Sequence, residues 1–177
     1  MSGLEITVLG CGSSGGVPRA NGDWGACDPA DPRNRRSRCS LAVRRYGPGG
    51  VTTVLVDTSP DLRTQVLSHD IRSLDGVLLT HDHADQTHGI DDLRTFSHMG
   101  RRRVPVWMDA PTHATLDRRF GYIFRGEHGY PPICDAHLLQ PGDHIDIEGP
   151  GGPISVSSFA QAHGPIVSLG YRFGPVV

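Results

Sequence analysis

Apolar residues recur along this chain mostly in short runs with a two-residue period, the pattern of strands rather than of long helices. Leu4, Ile6 and Val8 alternate with polar neighbours and predict a first strand over residues 4–9. Further strands are predicted over 40–44, over the β-branched run 52–56, over 74–80 and over 104–108. Later, residues 137–139, 144–147, 154–159 and 166–173 read as strands separated by Gly/Pro turns. Helices are fewer. Pro60 opens one over 61–68 with Ser59 as its N-cap, a second runs from about residue 85 through 93, and a third from about 111 to 119. Residues 122–132 mix glycines, aromatics and cations, which suits either a wall over a planar or sugar-bearing ligand or a plain connection. Periodicity alone therefore predicts a mixed α/β protein. No repeat or low-complexity linker divides the 177 residues, so one domain over residues 1–177 is expected.

Composition narrows the partners. A net charge of -2 and a pI near 6.5 carry no global nucleic-acid or membrane signature, so an anionic substrate must be held by local clusters. Residues 1–5 lack a basic or long apolar leader, and no apolar run approaches the ~20 residues of a membrane span, so a cytoplasmic protein is expected. Cys11, Cys27, Cys39 and Cys134 are scattered without a Cys-x-x-Cys pair, which fits reduced thiols. Ten histidines are many for this length and invite a search for metal ligands.

That search ends at His81-Asp82-His83-Ala84-Asp85-Gln86-Thr87-His88, directly after the apolar run Val77-Leu78-Leu79-Thr80. Imidazole with carboxylate suits Zn, Mn or Fe. On a turn after a strand, His81 and His83 can grip one ion while Asp85 faces a neighbouring position, a layout for two adjacent metal sites. On a helix His88 points roughly 200° away from Gln86 and is a poor substitute for it. Asp57, at a strand's C-terminal end, is either a turn residue or a carboxylate that orients metal-bound histidines. Gly10-Cys11-Gly12-Ser13-Ser14-Gly15 spells a dinucleotide fingerprint, but a loop rather than a helix follows it, so it reads as a tight turn. Residues 31–38 carry four arginines, which form either a solvated face or a phosphate-binding cluster.

The histidine stretch resembles the His-x-His-x-Asp-His signature of metallo-β-lactamase-fold hydrolases, with Gln86 where the family has its last His. Leu9-Gly10-Cys11-Gly12-Ser13-Ser14-Gly15-Gly16-Val17-Pro18, Trp24-Gly25-Ala26-Cys27-Asp28-Pro29, the segment from Asn34 to Ser40, and Val56-Asp57-Thr58-Ser59-Pro60-Asp61-Leu62-Arg63 are similar to the PhnP-like group, the phosphoribosyl cyclic phosphodiesterases and their relatives. The resemblance implies an α/β metallo-β-lactamase-like αββα sandwich. It also implies that the C-terminal part, with the bridging Asp and the last His, is missing from residues 1–177, so little activity is expected of this chain alone. His81, His83 and His163 are the implied ligands of a first ion. Asp85 is the implied catalytic carboxylate and holds a second ion with Gln86, and Asp57 stands behind the ligands. Arg35, Arg36 and Arg38 are the implied phosphate contacts. The cofactor expected is one or two divalent ions, Zn or Mn. The Gln86 amide suits zinc less than imidazole does, which points to a loose second site or a harder ion. Cys27 stands alone where relatives cluster cysteines, so a structural zinc is not expected there.

The activity implied is a phosphodiesterase acting on a small cyclic or nucleotide-like phosphate ester through metal-activated hydroxide. An RNA-processing nuclease of the same superfamily and a non-catalytic metal-binding homologue are the alternatives. The first lacks a long basic arm to hold RNA, so a nucleic-acid partner is disfavoured. No membrane partner is expected, and the oligomeric state stays open.

Overall fold

Neighbouring residues on the central strands face opposite sides, and that alternation builds two cores. On β2 (Ser40–Gly47), β3 (Gly50–Val56) and β4 (Gly76–Leu78), the fully buried Ala42, Leu55 and Val77 join one cluster, while Val43, Val54 and Leu78 join another. A strand apolar on both faces has to be covered on both. The computed structural model, which describes residues 3–177, covers these strands with helices on one side and a second sheet on the other.

The larger sheet has the order β1-β2-β3-β4-β5-β6, where β1 is Leu4–Gly10, β5 Val104–Met108 and β6 Cys134–Leu138. Its first three strands are antiparallel; β3 to β6 run parallel. Parallel neighbours need crossovers. These are α1 (Leu62–Ser68), the pair α2 (Ala84–Thr87) and α3 (Leu93–Gly100), and α4 (Ala110–Arg125). Leu62, Leu93, Leu116 and Ile123 are fully buried from these helices against Leu79, Val106 and Met108, each contributing about 1.5–3 kcal/mol by removal from water.

The smaller sheet is the antiparallel set β7 (His144–Ile147), β8 (Ile154–His163) and β9 (Ile166–Arg172). Ile147, Ile154, Val156, Leu169 and Tyr171 line the inter-sheet core. Two bonds hook this sheet to the chain just past β4: Leu169 N donates to Thr80 O at 2.8 Å, and the buried Tyr171 hydroxyl donates to Leu79 O at 2.7 Å. The described layers are thus helix, sheet, sheet. No helix among the described residues is long and apolar enough to cross a membrane.

Several expected boundaries shift for local reasons. The helix expected over 85–93 is broken into α2, a 3-10 turn at Ile90–Asp92 and α3. Thr58 breaks it: its N–H takes Gln86 O at 2.8 Å, its hydroxyl takes Thr87 O at 3.3 Å, and its carbonyl receives Gly89 N–H at 2.9 Å. Ser59 is not the N-cap of α1. Asp61 holds that position without a side-chain cap, because Arg38 draws its carboxylate away, and Ser59 Oγ receives Asp61 N–H at 3.2 Å. The third expected helix runs on to Arg125 with a kink at Phe120, because the buried Ile123 carries it across the core. β8 likewise continues to His163.

Candidate metal centre

β4 delivers the histidine stretch to the carboxyl end of the parallel strands. Asp57 N–H donates to Leu78 O and Leu79 N–H to Trp107 O, at 2.8 and 2.9 Å, so the chain leaves the sheet between β3 and β5. His81 and His83 follow within one turn. Opposite them, β8 and β9 close a hairpin through Gly164 (φ +58°) and Pro165, with His163 as the last residue of β8, paired to Ile166. The three histidines meet here. One ring nitrogen from each of His81, His83 and His163 lies within 4.8 Å of the others, and His163 Nε2 is 3.4 Å from His83 Nδ1. Ring centroids are 4.5 to 5.2 Å apart.

The Asp57 carboxylate orients one of these rings through an intermediary. Its Oδ1 accepts Thr80 N–H at 2.8 Å, its Oδ2 accepts the Thr80 hydroxyl at 2.9 Å, and Thr80 Oγ1 lies 2.8 Å from His81 Nδ1. With the Thr80 proton directed at Asp57, Thr80 Oγ1 receives the His81 Nδ1–H, which leaves Nε2 with its lone pair free. Burial, then the nearby His83 and His163, holds the His81 imidazole below its usual range, so it is kept neutral, as a ligand must be. Asp57 is buried with φ +62°, and desolvation pushes its carboxyl up to about 7 against the opposing Thr80 hydrogen bonds.

The second group of expected ligands is arranged differently. Asp85 is not part of the close histidine cluster. It accepts Gln86 Nε2–H at 3.2 Å on Oδ2, while Gln86 Oε1 is buried without a hydrogen-bond partner among the described residues. His88 stands outside the centre, edge-on to Phe120 at 5.4 Å.

The arginine run separates into distinct roles. Arg33 is taken by Asp31, whose side chain also caps the 3-10 turn Pro32–Asn34. Arg35, Arg36 and Arg38 all line a cleft of about 470 Å³ together with Gly15 and Gly16. Arg35 lies over the Trp24 ring at 5.0 Å. Arg38 grips Asp61 with two bonds, Nε to Oδ2 at 2.9 Å and Nη2 to Oδ1 at 2.7 Å, which holds the Asp61 carboxyl well below its usual range. Its role narrows accordingly: only Nη1 has no partner among the described residues, while Arg35 and Arg36 stay exposed. The glycine loop passes close to this run, since a Cβ at Gly10 would collide with Arg38 O and Ser37 Oγ.

A family model described as the beta-lactamase superfamily domain matches residues 52–176, well over half of the chain. The chain belongs to the metallo-β-lactamase superfamily. Its structure is similar to the crystal structure of a PhnP-family diphosphatase, with a TM-score of 0.80 and 34% identity, over 98% of this chain and 63% of that one. An octanoyltransferase from Porphyromonas gingivalis is 33% identical over 173 residues, 97% of this chain but 33% of that protein. Zn(2+)-bound PqqB from Methylobacterium extorquens shares the fold at a TM-score of 0.67 and 19% identity, over 96% of this chain and 62% of that one. The chain thus spans about a third of its octanoyltransferase relative and under two thirds of both solved structures.

Within this superfamily member, the sequence reading omitted Thr80, which joins Asp57 to His81. A hydroxyl directly before the first histidine of the stretch was the available signal. Asp61 was also missed as a site residue, because only the fold brings it to Arg38.

Proposed function

We propose that this chain carries the metal centre of a metal-dependent phosphodiesterase acting on a small phosphate ester. The observation that carries the reading is the convergence of His81 and His83, from the loop after β4, and His163, from the end of β8 in the other sheet, on one position. Three imidazoles so arranged fit a divalent ion such as Zn or Mn and leave room for water or substrate. Such an ion supplies hydroxide at neutral pH and polarises a phosphoryl oxygen.

The chain's own residues do the rest. Thr80 and Asp57 hold His81 with Nε2 presented, Asp85 places a carboxylate beside the centre, and Arg35 and Arg36 offer two exposed guanidiniums to a phosphate. The unspent edge of Arg38 adds a third contact, and the negative charge of Asp85 is felt there. The likeness to a PhnP-family diphosphatase supports phosphate chemistry over other reactions of the superfamily.

The test is hydrolysis of a chromogenic phosphodiester by chain stripped of metal and then given Zn²⁺ or Mn²⁺, with metal content measured in parallel. About one ion per chain is expected, lost in His83→Ala, and the activity of this chain, small as it is expected to be, should need that ion. Equal metal content in wild type and His83→Ala would remove the triad from the reading.

A further inference from the structure

Cys11 and Cys39 are far apart in sequence, yet the fold sets them against each other. Cys11 follows the last residue of β1, and Cys39 precedes the first residue of β2. On one side of them Gly10 pairs with Ser40, and on the other Gly12 bridges to Arg38, so the two cysteines hold the facing positions in between. Residues that face each other across paired chain segments have Cα atoms about 4.5–5.5 Å apart. A disulfide spans about 4.4–6.8 Å between Cα atoms, so the backbone is already within its reach.

The thiols are placed for the same bond. Both residues are exposed, and Cys39 Sγ–H donates to Gly12 O at 3.2 Å, which lays this sulfur over the backbone next to Cys11. Among the charged groups that act on the Cys39 thiol, Cys11 comes first, ahead of Asp57 and Asp85. We propose that Cys11 and Cys39 form a reversible modification site that closes to an intramolecular disulfide on reaction with a low-molecular-weight disulfide. One cysteine, as thiolate, attacks a sulfur of the small disulfide, forms a mixed disulfide and expels one small thiolate. The other cysteine, deprotonated in turn, attacks the protein sulfur of that mixed disulfide and expels the second. The protein gives up two electrons and two protons, and the small disulfide takes them and leaves as two thiols. Burial, then the neighbouring Cys11, pushes the Cys39 thiol up, which makes thiolate scarce there and leaves Cys11 to open the exchange.

The bond has a structural consequence. Gly15 and Gly16 form one wall of the arginine cleft, and Arg35, Arg36 and Arg38 form the other. Hydrogen bonds already tie these walls, Gly12 N–H to Ser37 O at 2.7 Å and Val17 N–H to Arg36 O at 2.9 Å. A disulfide between Cys11 and Cys39 adds a covalent tie beside them, so oxidation stiffens the cleft and reduction frees it. The bond forms whatever the cleft binds, and so stands apart from the phosphodiesterase reading.

The experiment incubates the full chain with oxidised glutathione, quenches with acid and maps the peptides without reductant. In wild type both thiols should be lost to one linked peptide pair that joins Cys11 to Cys39, with no glutathione kept on either and both thiols recovered by dithiothreitol. Cys39→Ser should instead retain glutathione on Cys11. Amide exchange over residues 12–17 should slow about tenfold or more in the linked chain and return on reduction. Two unreacted thiols, glutathione retained on either cysteine of wild type, a link between two chains or a link through Cys27 overturns the proposal. Unchanged exchange over residues 12–17 in the linked chain overturns the stiffening of the cleft.

Discussion

Replacing Asp57 by Asn isolates the energetic weight of one buried carboxyl. In the unfolded chain this group titrates near 3.8, and in the fold burial pushes it up to about 7. Between those values the folded state holds a proton that the unfolded state has lost. Stability is therefore complete below about pH 4, falls as pH rises, and levels off above about pH 7. At about 1.4 kcal/mol per pH unit, the interval amounts to at most about 4 kcal/mol. Asn tolerates the left-handed φ of +62°, and its carbonyl can still accept Thr80 N–H, so the fold should survive. Urea unfolding across this pH range, with chelator present, should show the variant gaining on wild type by up to about 4 kcal/mol as pH rises. The same change takes away the acceptor of the Thr80 proton, so metal affinity should drop about 10–100-fold. Parallel stability curves for the two proteins would refute the assignment of a buried, protonating carboxyl.

Three further outcomes are expected. Gly89→Ala should lower stability by about 2–4 kcal/mol in urea unfolding, because its Cβ would collide with Ser59 O and meet Leu62 Cβ at 2.9 Å. Arg35→Gln with Arg36→Gln should raise the KM for a phosphodiester at unchanged stability, whereas Arg38→Gln should also destabilise by stripping Asp61 of its partner; identical behaviour of all three would contradict the division described above. Tyr171→Phe should cost about 1–3 kcal/mol by leaving Leu79 O without its buried donor, measurable as a shift in the unfolding midpoint.

The strands were legible because two-residue alternation is a local signal, and Leu55 and Val54 face opposite cores as their positions along β3 imply. His81 and His83 stood out by spacing. His163 came only through the family resemblance, since its neighbours are set by a hairpin on the other sheet. What stayed hidden depends on contacts distant in sequence. Nothing near Gly89 announces that Thr58 captures the bonds that would have continued the helix, and nothing near Asp61 announces Arg38, 23 positions away. Propensity describes a segment alone, and these segments are settled by partners it does not include.

Two of the histidines share one turn, but His163 is 80 positions from His83 and belongs to the smaller sheet. An ion held by all three therefore works as a rivet between the layers. By the loop-closure reasoning applied to cross-links, fastening a loop of that length is worth about 4–5 kcal/mol to the folded state. Chelation should then loosen the β8–β9 hairpin before the helical layer, visible as earlier amide exchange at residues 160–168 than along β3. The centre that assembles the proposed chemistry would also report on itself: a chain that has lost its ion would bear a softened hairpin, a mark that proteases can read.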